Sequence, residues 1–206
     1  MGSILAAAMA ARPAVPDPFE RLTGILEEAK AADLPEYNAM VLSTADAEGR
    51  PSSRVVLLKD LDADGLVFYT NLESRKGREI AVNPRVGLLF FWRELDRQVV
   101  IQGRAEPVSE EEADAYFASR ARGSQLGAWA SAQSRTMPSR ARLVADVARA
   151  EARFLGRSVP RPEFWSGFRV IPESFEFWRR GLFRLHQRVF YERTDDGGWT
   201  TRRLYP

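Results

Sequence analysis

The stretch SRVVLLKDLDADGLVFYTNLESRK, from Ser53 to Lys76, constrains the fold more than any other because it sets a β-hairpin directly against a helix start. Val55 to Leu58 is a short apolar, partly β-branched run, Asp60 to Gly65 is rich in turn formers, and Leu66 to Tyr69 is a second strand-like run. The pattern predicts that the two runs pair as an antiparallel hairpin. Thr70, Asn71 and Ser74 then supply capping groups, and Glu73 to Val82 reads as a helix stopped by Asn83 and Pro84. Arg75 and Lys76 fall in its first turn, where the helix macrodipole disfavours cations unless an anion joins them. Free N–H groups at a helix start favour an anion, so a bound phosphate resolves the conflict; a solvated pair of surface cations is the competing explanation.

Arg54 and Lys59 bracket the first strand, with Cα atoms roughly 16 Å apart at ~3.3 Å per residue, and their odd spacing turns them to opposite faces of a flat strand. One site takes both only if its ligand is long or the strand twists strongly. A mononucleotide with an extended ring system has the length.

Around this stretch the chain carries further short strands and helices. Asp17 to Ala32 has helical periodicity, with Phe19, Leu22, Ile25 and Leu26 on one stripe. Asn38 to Ala45 reads as a strand closed by a turn over Asp46 to Pro51. Val86 to Trp92 is apolar on both faces, as in a strand buried in a barrel or under a partner subunit, with Gln98 to Ala105 as its antiparallel neighbour. Gln98 and Gln102 interrupt that apolar run as outward-facing polar positions.

Ser109 to Glu112 is a capping box opening a helix to about Arg120. Tyr116 and Arg120 are four apart and share its face, and Ser124 falls just past its end. A phenol, a guanidinium and a serine hydroxyl converging there make a phosphate clamp, although ordinary helix surface is the commoner meaning of such spacing. Gly123 to Ser134 reads as a Gly-, Ala- and Ser-rich loop, and Pro138 opens a helix to about Leu155 with Leu143, Val147, Ala150 and Phe154 on its buried stripe. Pro160, Pro162 and Pro172 punctuate the approach to strands at Phe175 to Trp178, Val189 to Arg193 and Trp199 to Leu204, the last two joined by the Asp195 to Gly198 turn. Six or seven strands and four helices without a βαβ rhythm predict an antiparallel sheet.

The 206 residues, 45% hydrophobic, suffice for one well-buried core, so a single domain is expected over residues 17–206 behind a flexible arm over residues 1–16. In that arm Ile4 to Ala11 is short and lacks a preceding positive charge, unlike a secretory signal, and Ala6 breaks the myristoylation pattern. No stretch approaches the ~20 apolar residues of a membrane span. Thirty basic and twenty-eight acidic residues are interspersed, so no general attraction to nucleic acid or membrane follows. The absence of cysteine excludes disulfides and thiolate chemistry and suits a reducing cytoplasm, while a lone histidine excludes a histidine-rich metal site. Dinucleotide, Walker A and zinc-protease signatures are also missing. Chemistry carried by a cofactor fits so few reactive side chains.

Four blocks, R-x-V-L-L-K at Arg54 to Lys59, F-Y-T-N-L-x-S-R-K at Phe68 to Lys76, R-Q-V at Arg97 to Val99 and R-L-H-x-R at Arg184 to Arg188, together resemble the pyridoxine (pyridoxamine) 5′-phosphate oxidase family. The resemblance runs from about Tyr37 to Pro206. It implies an FMN-binding split barrel, an antiparallel six-stranded Greek-key barrel with flanking helices, working as a homodimer with FMN at the interface. FMN would be held by Arg54, Val55, Val56, Leu57, Leu58, Lys59, Tyr69, Thr70, Arg75, Lys76, Gln98, Gln133, Ser134, Trp178 and Arg188. A B6-vitamer phosphate would meet Lys59, Tyr116, Arg120 and Ser124 at its phosphate and Arg184 with His186 over its ring. Hydride would pass from the exocyclic carbon to flavin, and O₂ would reoxidise it to give hydrogen peroxide and pyridoxal 5′-phosphate. Arg184 and His186, two apart on an expected strand, would share one face.

Departures accompany the likeness. Gln187 stands where the family usually has Asp, Leu182 and Phe183 replace small or polar residues, Ser166 occupies a usual Gly, and the N-terminal arm lacks an Arg and Tyr pair found in some members. Two alternatives follow: a split-barrel flavin oxidase of another aromatic metabolite, as in phenazine biosynthesis, or a flavin-binding protein without catalysis. Lys59 speaks against the first, since phenazine-type relatives tend to lose it, and a second anion clamp speaks against the second.

Overall fold

The computed structural model describes residues 15–206, so the arm expected over residues 1–16 lies, except for exposed Val15 and Pro16, outside the described residues. The first helix, α1 (Pro18–Ala31), starts where the Asp17 carboxylate accepts the Phe19 N–H at 2.7 Å and proline occupies the first turn. Of its expected stripe Leu22, Ile25 and Leu26 are buried and Phe19 packs half-buried against the same core, with Ala29 joining them.

Nine strands form one antiparallel sheet: β1 (Ala39–Ala45), β2 (Pro51–Leu57), β3 (Asp60–Asp62), β4 (Gly65–Asn71), β5 (Arg85–Trp92), β6 (Arg97–Pro107), β7 (Trp165–Arg179), β8 (Gln187–Arg193) and β9 (Trp199–Leu204). The pairing order is β2-β1-β5-β6-β7-β4-β3, with β8 and β9 added along the second half of β7. Alternation drives the curl. Met40, Leu42, Val86, Leu88, Phe90, Val99, Ile101, Phe68 and Phe175 all point to one side and pack together, while their neighbours in sequence face outward.

The two ends of that order, β2 and β3, are consecutive in the chain. Leu58 N–H donates to Asn38 O at 2.9 Å and Lys59 N–H donates to Val67 O at 2.8 Å, so the chain changes partners between adjacent residues and brings the sheet round on itself. This corrects the expected hairpin. Val55 pairs with Val41 of β1, and the Leu66 run pairs instead with β3 and β7. Local sequence predicts strands but not their partners, because register here is set by which faces the core buries.

β7 is longer than expected and runs straight through Pro172. Gly103 opposes Pro172 and Gln102 opposes Ser174, leaving Glu173 as the extra residue of a bulge, the place in a sheet where a missing N–H is tolerated. A Cβ on Gly103 would come within 2.2 Å of Ile171 O, so the close approach requires glycine. With β3 formed inside the segment expected as a turn, the nine strands exceed the six or seven expected.

Five helices are described rather than four: α1, α2 (Arg75–Val82), α3 (Glu110–Ser119), α4 (Arg122–Ala130) and α5 (Arg140–Arg153). The segment expected as a loop over Gly123 to Ser134 is helical through Ala130. Leu126 is buried in a second cluster with Phe117, Phe154 and Trp165, and Gln125 Nε2 donates to the α3 carbonyls of Phe117 at 2.9 Å and Ala118 at 3.3 Å. Tertiary burial and this cap outweigh the helix cost of Gly123 and Gly127. Ser124 therefore sits in the first turn of α4, not past a helix end. Of the strand expected to be apolar on both faces, Val86, Leu88, Phe90 and Trp92 fill the core, while Phe91 is 59% exposed on the outer side. Among the described residues no helix is long and apolar enough to cross a membrane.

Candidate active site

A cleft of about 1030 Å³ opens between β2, β4, the start of α2, the α3–α4 junction and the segment 131–134, with Trp165 of β7 at its wall. Arg54, Lys59, Arg75, Lys76 and Arg120 line it, and none of the lining residues is acidic. Arg54 and Lys59 both reach this one cleft despite their odd spacing, because β2 ends at Leu57 and Lys59 already lies past the change of partner. Five cations facing the same space with no lining carboxylate favour an anionic occupant.

The start of α2 sets the sharpest part of that field. Ser74 caps the helix, its Oγ accepting the Gly77 N–H at 3.3 Å. Gly77 allows the turn to sit tightly, since an added Cβ would meet Leu72 O at 2.1 Å. Lys76 is 8% exposed, and its Nζ donates to Thr70 Oγ1 and Gln133 Oε1 at 3.0 Å each and to Ser74 Oγ at 3.4 Å. Every partner is neutral. Burial, reinforced by the Arg54 charge, brings the Lys76 ammonium down to about 8.

Arg54 and Arg75 share one acid beneath the cleft. Glu79 accepts from Arg75 Nε at 2.7 Å, Ser52 Oγ at 2.6 Å, Arg54 Nη2 at 3.4 Å and the Thr44 hydroxyl. Burial alone would push its carboxyl up; the hydrogen bonds from Ser52, Thr44 and Arg75 prevail and hold it at about 2.

On the opposite wall Tyr69 lies parallel to Tyr116 with ring centroids 3.9 Å apart and to Trp165 at 5.5 Å. Burial, then Glu112, whose carboxylate accepts the Tyr69 hydroxyl at 3.3 Å, pushes the Tyr69 phenol up to about 12, so it stays protonated. The Arg120 guanidinium rests 4.7 Å from the Trp165 ring centre, and its Nη1 is buried without a hydrogen-bond partner. An orphaned buried donor beside Tyr116 and Ser124 suits a phosphate oxygen. Arg54, Arg75 and Lys76 form a second cationic group across the cleft. The residues thus fit two anionic groups.

Most of the residues anticipated from sequence meet here: Arg54, Val55, Val56, Leu57, Lys59, Tyr69, Thr70, Arg75, Lys76, Gln133 and Ser134, together with Tyr116, Arg120 and Ser124. Leu58 does not. Its side chain is 6% exposed in the core, and Asn38 takes both its backbone groups, accepting from its N–H and donating Nδ2 to its O at 2.7 Å.

Gln98, Trp178 and Arg188 also stay out of the cleft. They are direct neighbours across β6, β7 and β8, on the face opposite buried Val99 and Phe177. Arg188 is fixed there by Glu176 through Nε and Nη2, at 2.7 and 3.0 Å. Arg184 and His186 sit beside this row, lining a separate hollow of about 440 Å³. The expected strand geometry for that pair fails: Leu182–Arg184 is a 3₁₀ turn, and Phe183 and Arg184 are left-handed, at φ 54° and 65°. His186 precedes β8, with Nδ1 accepting the Gly181 N–H at 3.3 Å and its ring 4.7 Å from that of Trp178. A tight turn, not strand alternation, sets their directions.

Sequence reasoning missed Glu79 and Trp165. The first had a signal, its i, i+4 spacing from Arg75. Trp165 has none, because only the pairing of β7 with β4 brings it beside Tyr69.

A curled antiparallel sheet with a cleft that sets one cationic group at a helix start opposite another beside stacked aromatic rings suits an extended, anionic occupant such as a mononucleotide cofactor. Comparison with known proteins gives the family. A profile described as pyridoxamine 5′-phosphate oxidase matches residues 25–154, and one described as the pyridoxine 5′-phosphate oxidase C-terminal dimerisation region matches residues 165–206. The chain belongs to the pyridoxamine 5′-phosphate oxidase family. It is 58% identical over 191 residues to a pyridoxine/pyridoxamine 5′-phosphate oxidase of Maricaulis maris strain MCS10, covering 92% of this chain and 86% of the relative. It is 55% identical over 191 residues to the protein of that name in Myxococcus xanthus strain DK1622, covering 93% and 92%. Among solved structures it resembles PhzG from Burkholderia lata 383 in complex with tetrahydrophenazine-1-carboxylic acid, at a TM-score of 0.87 and 37% identity, covering 92% of this chain and 93% of that one.

Proposed function

We infer that this chain is an FMN-dependent oxidase that converts pyridoxamine and pyridoxine 5′-phosphates to pyridoxal 5′-phosphate, with O₂ as acceptor and hydrogen peroxide as by-product, the amine substrate also consuming water and releasing ammonia. The observation that carries the reading is the cleft itself: a buried ammonium with neutral partners on one side and an orphaned guanidinium nitrogen on the other. Two separate anion sites suit a phosphorylated cofactor and a phosphorylated substrate together. When bound, FMN supplies the two-electron chemistry.

The chain's residues bind and orient. Arg54, Arg75 and Lys76, with the α2 N–H groups, take the cofactor phosphate, and Thr70, Gln133 and Ser134 line the way to it. Lys59, Tyr116, Arg120 and Ser124 take the substrate phosphate, Trp165 backing Arg120. Gln98, Trp178 and Arg188 reach flavin from the second copy of a homodimer, and Arg184 with His186 come from the same side to lie over the substrate ring. This arrangement explains why those five residues face away from their own chain's cleft. Residues 17–206 act as one folding unit, since β7 joins β4, β6 and β8 across the boundary between the two matched regions. A cysteine-free chain with no helix among its described residues long and apolar enough to cross a membrane suits work in the cytoplasm.

Oxidation of a phenazine-type acid is the second reading, favoured by the likeness to PhzG. The retained Lys59 and the buried donor of Arg120 favour the phosphate ester. Turnover of each compound by the FMN-loaded protein, followed by peroxide release, separates the two. Pyridoxamine 5′-phosphate is expected to be oxidised; a protein that oxidises only a dihydrophenazine acid would reverse the order.

A further inference from the structure

We propose that Glu79 is a positioning residue for the cofactor phosphate, acting through Arg54 and Arg75 rather than by touching the ligand. The inference rests on the FMN reading above. Glu79 is not among the residues lining the cleft, yet among the described residues it is the one acid within ion-pair distance of any cation that does. Its side chain is 6% exposed, and both carboxylate oxygens are engaged. One holds Arg75 Nε; the other gathers Thr44 from β1, Ser52 and Arg54 from β2.

The consequence lies in what each guanidinium has left. Arg75 is tied at Nε, and its two terminal nitrogens make no hydrogen bond among the described residues, although the side chain is more than half exposed. Arg54 is tied through Nη1 to Thr44 at 2.6 Å and Leu42 O at 3.2 Å, and through Nη2 to Ser52 and Glu79. Arg75, fixed at Nε, presents its two terminal nitrogens together, whereas Arg54, with both terminal nitrogens taken, keeps only Nε free and contributes mainly its fixed charge; in both, rotamer freedom is lost before the anion arrives. Glu79 also lets two arginines sit close together without repelling each other apart.

Charge and orientation give this residue opposite signs. A nearby negative charge, acting alone, weakens binding of a phosphate dianion, so neutralising it would tighten FMN. A carboxylate that orients the two arginines does the reverse.

The test is calorimetric titration of the apoprotein with FMN and with riboflavin, which lacks the phosphate. Glu79→Gln should bind FMN about 10-fold or more weakly, with riboflavin within about twofold of the parent, so the FMN-to-riboflavin preference falls. In an Arg75→Ala background the same substitution should cost less than it does in the parent, because one of its two routes is already cut. If Glu79→Gln does not fold, Thr44→Val and Ser52→Ala each remove one donor, and each should lower the preference by about threefold. FMN binding as tight as the parent's or tighter, or an equal loss for both ligands, overturns the proposal. A parent that shows no preference for FMN over riboflavin overturns the cofactor reading, and this proposal with it; a parent that prefers FMN with the ratio unmoved in the variants overturns this proposal alone.

Discussion

In the cleft beside α2 the polar groups hold one another: Lys76 is caught by Thr70 and Gln133, and Arg54 and Arg75 by Glu79, all within one chain. Along the row Gln98, Trp178 and Arg188, by contrast, the side chains face away from the core, and the adjoining turn leaves Phe183 91% exposed and Leu182 81% exposed. The row falls largely within the region matched as a dimerisation unit. Half of the site is thus preorganised within the monomer. On the proposed reading the other half meets the cofactor only in a second copy, so damage to the two halves should fail in different ways.

The largest expected effect is on the preorganised half. Lys76→Met keeps most of the buried volume but removes the charge. At ~3 kcal/mol for a buried charge-assisted hydrogen bond, FMN affinity should fall about 150-fold, read by fluorescence quenching on titration. An unchanged affinity would show that the cleft does not hold the phosphate.

On the other half, Arg184→Ala should leave FMN affinity within about twofold while kcat/KM for pyridoxamine 5′-phosphate falls by about 10- to 150-fold, and added FMN should not help. Loss of flavin with normal turnover after resaturation would place Arg184 with the cofactor and erase the distinction. Arg75 is more exposed than Lys76, so Arg75→Ala should weaken FMN by only about 10-fold, and excess FMN should restore most of the turnover.

The smallest effect is a pH profile. Lys76 in the apoprotein has its ammonium lowered from 10.5 to about 8, by burial first and then by Arg54. A phosphate favours the charged form, so binding takes up a proton wherever free Lys76 is neutral. FMN affinity should therefore be level below about pH 8 and fall by up to ~10-fold per unit above it. Lys76→Arg, charged throughout, should flatten that fall. The same sign governs stability: the folded state loses the Lys76 proton before the unfolded chain does, so the burial penalty is full below about pH 8 and is relieved between there and 10.5.

Much of the preorganised half was legible because its cues are local. Ser74 caps the helix that the sequence announces, Arg75 and Lys76 follow in its first turn, and Tyr116 lies in the last turns of α3 with Arg120 as its extended C-cap, so that pair was found although the helix stops one residue short of the face expected for it. What stayed hidden depends on contacts far apart in sequence. The partner of β2 is chosen at Leu58–Lys59, where the chain leaves one end of the sheet for the other, and no local pattern encodes that switch. Glu79 collects Thr44 from 35 residues away. α4 read as a loop because its glycines are visible in sequence and the burial of Leu126 is not. Arg184 and His186 were recognised by resemblance, but their geometry was wrong, since a left-handed turn overrides the alternation that their spacing suggested.

The central claim, that one chain's cleft works with another chain's outward row, is tested most directly by mixing two defective proteins. Lys76→Met spoils the cleft and leaves the row; Arg184→Ala spoils the row's side and leaves the cleft. Co-expressed at equal levels, half of the dimers should be mixed, and each should carry one site built wholly from intact halves, giving roughly a quarter of the parental activity. Activity no higher than the average of the two variants measured separately would mean that each site is complete within one chain, contrary to this account.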